Sequence, residues 1–487
     1  MRSAPAASLV IMCGVCGLCA PAFADENPVP RLVGRALGDT PLMADLAELT
    51  DGIGGRPTGS PTFEKAVDWA VAKLKAAGLE VKTEEVPIPS RWLGGTASLS
   101  STSPQSFDIP LAAAPFSASS AAGGIEAPVV VVGTDLKMPP AARGAIVLVQ
   151  TEEMKTLDDL FAEYMRNGPL TAAAEKAGAV ALLLESTHPR GLLYRHPVNF
   201  GTATFSVPTA IISREHAARL VRLARLGAVK AKVAIANTMG GPYRARNVVA
   251  ELRGREKPDE IVLIGAHLDS WDLGTGANDN GVNAAMVIDV ARGMKALGVA
   301  PRRTIRFVLW AGEEQGMFGS AGYVQSHAAE LDKHVATVTY DIGSGRTLGF
   351  FLNGREELRQ AVDEALAPVA GLGPFAELAE AIDGTDNFDF LLSGVPNLVA
   401  NQDATPYLPD YHATSDTFDK VDAREAHANA AIASALVWAL AERPGTLARR
   451  QGRAEIEKLI KASKLDEQMK AFGQWSDWQA KKRGVAK

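Results

Sequence analysis

From residue 247 onward the chain alternates short apolar runs with stretches of helical period, and that alternation leaves few folds open. Residues 261–266 form a continuous apolar run, 282–297 carry helical spacing, and 304–311 and 335–340 are further apolar runs. Runs that are apolar throughout suit strands buried on both faces, and strands separated by helices pair in parallel. The pattern therefore predicts an α/β domain, with a mixed, mostly parallel sheet sandwiched by helices. In such a sheet, ligands bind beyond the carboxyl ends of the strands, where the loops converge on a crevice. Each run here ends in side chains that can hold a metal or move a proton. His267 and Asp269 follow the first, Glu313 and Glu314 the second, and Asp341 the third.

Taken one at a time these residues have ordinary explanations. TGANDNG at 275–281 reads as a turn, and Glu313-Glu314 as a helix start favoured by the dipole. Their arrival at successive strand ends points instead to a metal site. An amide hydrolase must make a nucleophile from water and stabilise an oxyanion, and two divalent ions held close together do both. Two such ions require a bridging carboxylate, and Asp279, between His267 and the helix that starts near Gly281, is placed to be one. Glu313 and Glu314, adjacent on one loop, suit the paired tasks of general base and ligand. Asp269 could accept the proton on the other nitrogen of His267 and fix its tautomer. A second histidine must come from elsewhere.

Composition narrows the choice of ligands and partners. The first residues read as an export signal, with Arg2, an apolar stretch over 9–20 shorter than the ~20 residues a spanning helix needs, and Ala22-Phe23-Ala24 as the cleavage motif. Cleavage is expected between Ala24 and Asp25, giving a secreted or periplasmic protein. The 3 cysteines, Cys13, Cys16 and Cys19, all fall in that segment, so the exported chain has only His, Asp and Glu with which to hold a metal. Neither a GxSxG elbow nor HExxH occurs. A net charge of -6 carries no basic footprint for nucleic acid, which leaves a small molecule or peptide as the expected partner.

A length of 487 residues suggests two or three domains. Residues 42–79 read as two helical pieces broken by GGRPTGS, with Ser60 as N-cap, Pro61 at the first helical position, and Phe63, Ala66, Ala70, Val71 and Leu74 as an apolar stripe. The Ser- and Ala-rich text over 100–125 reads as a domain edge. APVVVVG, GAIVLVQ, EKAGAVALLL and PTAIIS then give an inserted, mainly β module. The expected division is a signal peptide at 1–24, the first part of the catalytic domain at 25–120, the insert at 121–240 and the rest of the catalytic domain at 241–445. A charged helical tail at 446–487, with Leu459, Ile460, Leu465 and Met469 as its apolar face, carries no visible chemistry.

HLDSWDLGTGANDNG, LWAGEEQGMFGS, YDIGSG and DYHATSDTFDKVD together resemble the M28 family of dinuclear zinc exopeptidases. HLDSWD, the GTD at 384–386 and GGRPTGS are nearest its plasma glutamate carboxypeptidase (carboxypeptidase Q) branch. The resemblance implies two zinc ions, one held by His267, Asp279 and Asp341 and the other by Asp279, Glu314 and His412. It also implies Glu313 as general base, Asp269 as the partner of His267, a cis peptide at Asp279-Asn280, and a protease-associated (PA) domain as the insert. Asn280 stands where relatives often have a second aspartate. Trp271, Asp386, Asp403 and Tyr407 fall in segments expected to line the cleft, with Tyr407 suited to stabilising the oxyanion. His188, His196, His216, His327, His334 and His427 read as structural. The implied substrates are dipeptides or short peptides, and relatives are often dimers, so a homodimer is an expected option.

Three other readings compete: an aminopeptidase on longer peptides, a binding protein that has lost the site, and a single-zinc acyltransferase of the glutaminyl cyclase kind. Retention of all five ligands and the base argues against the last two. Which peptide terminus is recognised is not legible in these residues.

Overall fold

The structure, a computed structural model, describes residues 1, 27–198 and 204–485, so the expected signal peptide and its cleavage site lie outside the described residues. Two sheets organise the chain. The first contains β1 (Glu80–Ile88), β10 (Tyr243–Leu252), β11 (Lys257–His267), β12 (Arg303–Trp310), β13 (His334–Thr339), β14 (Thr347–Phe351) and β15 (Asn397–Gln402), in the order β1-β10-β12-β11-β13-β15-β14. Its central strands β12, β11, β13 and β15 run parallel, while β1, β10 and β14 pair antiparallel at the edges.

The period of two in β11 explains why that strand reads as continuously apolar. Val262, Ile264 and Ala266 enter one core with the helices Pro61–Ala76, Val282–Ala296 and Ala423–Glu442, whereas Ile261 and Leu263 enter another with Val308, Trp310, Tyr323 and Phe390. Both faces are buried, so neither needs polar residues. From β11 the chain crosses to β12 on one side and then to β13 on the other, which makes the carboxyl end of β11 the switch point where a crevice opens.

The helix Pro61–Ala76 begins as its sequence indicates. Ser60 Oγ accepts the Phe63 N–H at 3.1 Å, Pro61 occupies the first turn, and Phe63, Ala66, Val67, Ala70 and Leu74 are buried. Val67 takes the place expected of Val71 in that stripe, and Val71 is only half-buried.

The second sheet differs from expectation in extent and character. It contains β2 (Arg91–Ser103), β3 (Phe107–Asp108), β4 (Leu111–Ala113), β5 (Ile125–Val132), β6 (Ile146–Val149), β7 (Ala181–Glu185), β8 (Thr209–Ile212) and β9 (Lys230–Gly240). It therefore starts near residue 91, not 121. The start of the Ser-rich stretch, through Ser103, belongs to the long strand β2, paired with β9 from Arg91 opposite Gly240 to Ser103 opposite Lys230. Much of β2 is half-buried or exposed, so it needs no run of apolar residues and gives no such signal. The unit is also α/β, not mainly β. β5 to β8 are parallel, and helices Leu157–Ala177 and Arg214–Leu226 pack with them. Thr156 and Asp159 form a capping box at the start of the first helix, and Gly178 ends it in the left-handed region at φ 76°.

The tail forms helices Arg453–Ala462, Leu465–Ala471 and Trp475–Gln479, and Ile456, Ile460, Leu465, Met469 and Trp478 bury against Phe388, Leu391 and Leu392. Among the described residues no helix is long and apolar enough to cross a membrane.

Candidate metal centre

At the switch point the loops after β11, β12 and β13 meet the segment carrying His412. His267, the last residue of β11, has its Nε2 2.8 Å from Asp341 Oδ1 and 3.2 Å from Asp279 Oδ1. His412 Nε2 lies 2.8 Å from Glu314 Oε2 and 3.3 Å from Asp279 Oδ2. Asp279 thus offers one carboxylate oxygen to each histidine, as a bridge between two cations must. Glu313 Oε2 sits 4.0 Å from His267 Nε2, close to the first group. The five residues expected as ligands are thereby brought together and buried, with the half-buried expected base beside them, although they lie far apart in sequence.

The surrounding hydrogen bonds fix these side chains. His267 Nδ1 is 2.9 Å from the backbone carbonyl of Asp269, while the Asp269 carboxylate is 3.7 Å away. The contact between Asp269 and His267 is therefore made by the Asp269 main chain. The tight loop after β11 folds that carbonyl back under the ring. The Asp269 carboxylate accepts the Thr58 hydroxyl at 2.8 Å and the Glu313 N–H at 3.3 Å, so it ties the Glu313 loop to β11. His412 Nδ1 meets the Arg195 carbonyl at 2.8 Å, a contact from the second-sheet unit. The Asp279-Asn280 peptide is cis. Asn280 Nδ2 donates to Asp341 Oδ1 at 2.9 Å and to the Tyr340 carbonyl at 2.9 Å, so its amide supplies donors where an aspartate would bring only acceptors.

Two residues without an assigned role from sequence hold the bridge loop. The Asp416 carboxylate accepts the N–H groups of Ala277, Asn278 and Asp279 at 3.0, 2.6 and 3.1 Å. Arg56, buried within GGRPTGS, donates to the carbonyls of Leu268, Thr275 and Gly276 at 2.8, 2.7 and 2.9 Å. Thr58 in the same motif also receives the Gly312 N–H at 3.0 Å. GGRPTGS is thus a clamp on the loops after β11 and β12, and a Cβ at Gly55 would lie 2.6 Å from the Asp272 Cα. An arginine between glycines and a threonine, and an acid four residues after His412, were the available signals.

Of the residues expected to line the cleft, Tyr407 does so, with its hydroxyl donating to Asp279 Oδ2 at 3.0 Å. Trp271 is buried behind His412, its ring centroid 6.1 Å from that of the histidine, and belongs to the core of the second unit. Asp386 is buried beside the centre without lining the main cavity. Asp403 lies off the cavity and accepts the Thr405 N–H at 3.0 Å. The cavity has a volume of about 400 Å³ and extends from the metal-type residues to Leu160, Phe161 and Tyr164 of Leu157–Ala177 and to Gln468 and Phe472 of the tail. The tail expected to carry no chemistry therefore forms one of its walls. Among the other histidines, His196 packs near His412, at 6.4 Å between ring centroids.

The electrostatics call for cations. Burial, then the charge of Asp341, raises the Glu313 carboxyl well above its usual range, and burial raises Glu314 to about 7. Burial pulls His412 down, but Glu314 and Asp279 outweigh it and raise the ring to about 10. Glu314 Oε1 is buried with no hydrogen-bond partner among the described residues. In each of two groups, His267 with Glu313 and Asp341 and His267 with Asp279 and Glu314, one donor atom per residue lies within 4.8 Å of the other two. Neutral imidazole nitrogen with carboxylate oxygen, and no sulfur, suits a borderline divalent ion such as zinc.

The comparisons agree with this geometry. Residues 247–437 match the model of Peptidase family M28. Carboxypeptidase Q of Rattus norvegicus is 31% identical over 417 residues, covering 83% of this chain and 86% of that protein. The crystal structure of a peptidase M28 precursor from Shewanella amazonensis superposes with a TM-score of 0.80 at 30% identity, covering 87% of this chain and 98% of that one. A zinc aminopeptidase from Bacillus subtilis shares the fold, with a TM-score of 0.66 at 21% identity over 84% of this chain and 96% of that one. The chain belongs to peptidase family M28.

Proposed function

We propose that the chain is a two-zinc exopeptidase that hydrolyses dipeptides or short peptides after export from the cytoplasm. The observation that carries this reading is the division of Asp279, whose Oδ1 and Oδ2 lie 3.2 and 3.3 Å from two different histidines. His267, Asp279 and Asp341 would hold one zinc, and Asp279, Glu314 and His412 the other. Bound zinc supplies Lewis acidity, polarising the scissile carbonyl and making a water molecule acidic enough to attack at neutral pH.

The chain's own residues do the rest. Glu313 takes the proton of the attacking water and returns it to the leaving amine, a task that suits a carboxyl with a raised proton affinity. Asp269 holds the Glu313 backbone in place. Tyr407, hydrogen-bonded to the bridging carboxylate, is assigned to the oxyanion. A cavity of about 400 Å³ walled by the tail and by Leu157–Ala177 favours short substrates. Residues 91–240 are assigned as a PA-like module that roofs the cleft. Residues 1–24 are assigned as the signal peptide, which intact mass of the exported protein tests. The family resemblance extends the proposal to a homodimer, which sedimentation would report as twice the monomer mass.

The test is hydrolysis of a dipeptide panel, with either end free or blocked, by metal-stripped protein before and after zinc is added, with Glu313→Gln as control. Cleavage that requires zinc and is lost in the variant supports the reading. Two bound zinc ions without cleavage would reject peptides as substrates, and failure to bind zinc would favour a binding protein.

A further inference from the structure

The cavity is acidic beyond its metal-type residues. Asp158, Glu380 and Asp383 line it alongside Asp279, Glu313, Glu314 and Asp341, and among the described residues no lysine or arginine does. Two divalent ions would offset the second group of four but not the first three. Asp158 and Glu380 are exposed, whereas Asp383 is 2% exposed, and its two oxygens differ. Oδ1 accepts the Gly384 N–H at 2.7 Å and the side-chain amide of Gln474 at 3.4 Å, while Oδ2 is buried with no partner among the described residues. The guanidinium of Arg483 attracts this carboxylate, but its hydrogen bonds go to Asp389, at 3.0 and 2.8 Å, and to the Gly316 carbonyl, at 3.2 Å. Gln468, on the tail helix Leu465–Ala471, brings a second buried acceptor to the same cavity, an Oε1 also without a donor.

A buried acceptor left unpaired is costly, and more so when it is charged. Two of them in a ligand cavity that no lysine or arginine lines among the described residues amount to a demand for donors that a ligand can meet. We propose that Asp383, supported by Gln468 and Glu380, forms a subsite for a positively charged group of the substrate, an ammonium or guanidinium. The proposal rests on the peptidase reading and deepens it. Two sources share this chemistry, the α-ammonium of the peptide and the side chain of a lysine or arginine. Burial raises the Asp383 carboxyl to about 7, and a bound cation restores its charge. Gln468 and Gln474 both lie beyond residues 247–437, so the subsite depends on a tail outside the matched family region.

The zinc-loaded full chain is assayed on three matched pairs: Lys-Ala against norleucyl-Ala, Ala-Lys against Ala-norleucine, and Ala-Ala against propionyl-Ala, which lacks only the α-amino group. At least one pair is expected to favour the cationic member by tenfold or more in kcat/KM, and the pair that does so identifies the source. Asp383→Asn is expected to reduce that ratio at least fivefold, chiefly through KM, with zinc content and Tm close to wild type. Should Asp383→Asn fail to fold, Glu380→Gln, at an exposed position, is expected to reduce the same ratio two- to threefold. Cleavage without discrimination in any pair, or discrimination untouched in the folded variants, overturns the subsite alone. Absence of cleavage in every pair overturns the peptidase reading, and the subsite falls with it.

Discussion

At the scale of single residues, the centre is a set of charges that need one another. Glu313 is the only one of the grouped carboxylates given a proton-transfer role, so Glu313→Gln is expected to lower kcat roughly 100- to 10,000-fold while zinc content stays at the wild-type level. Metal analysis beside steady-state kinetics checks this, and loss of zinc in the variant would move Glu313 among the ligands. The site also predicts a pH dependence of metal uptake. Burial lifts Glu314 to about 7, and the acidic neighbours of His412 lift it to about 10, so near neutrality the His412 ring is protonated and Glu314 partly so. Zinc must displace those protons, so its affinity should rise between pH 6 and 8, with protons released on uptake. Chelator competition at several pH values measures the slope, and a flat profile would mean that the ligands are already deprotonated.

At the scale of elements, strands deliver the ligands and helices hold the strands. β11 ends at His267 because its last side chain leaves the two cores and enters the crevice, and the loops after β12 and β13 open on the same edge. The tail does comparable work from outside the sheet. Trp478 is 1% exposed, packs in the cluster containing Phe388 and Leu392, and has the Arg453 guanidinium 3.9 Å from its ring centroid. Trp478→Ala should therefore cost about 3–5 kcal/mol of tail docking. Limited proteolysis would show the tail cut before the sheet domain, and because Gln468 and Phe472 leave the cavity with it, KM should rise. A tail that stays protected with KM unchanged would contradict this placement.

At the scale of the whole molecule, the two sheet units share one centre. The Arg195 carbonyl meets His412 Nδ1, and the Arg195 side chain is held by Asp272 at 2.7 and 3.2 Å and by the Ala113 carbonyl at 2.6 Å. Asp272→Ala removes the carboxylate that fixes this arginine without touching a ligand. Outer partners of metal ligands typically contribute 10- to 100-fold in affinity, so zinc binding should weaken by about that much. Chelator competition measures it, and an unchanged affinity would uncouple the units.

The sequence by itself determined the α/β sheet, the strand ends that carry chemistry, and most of the residues that meet there. These follow from local periodicity and from side-chain types that few other roles explain, while His412 came only from the family resemblance. Only the tertiary structure decided that the Asp269 carbonyl, not its carboxylate, orients His267, and that Arg56 and Asp416 clamp the bridge loop. The same holds for the start of the Ser-rich stretch, which became the end of a paired strand, and for the charged tail, which became a cavity wall. Each of these depends on which backbone groups end up facing each other across long stretches of chain. Hydrogen bonds of that kind leave no period and no composition bias to read.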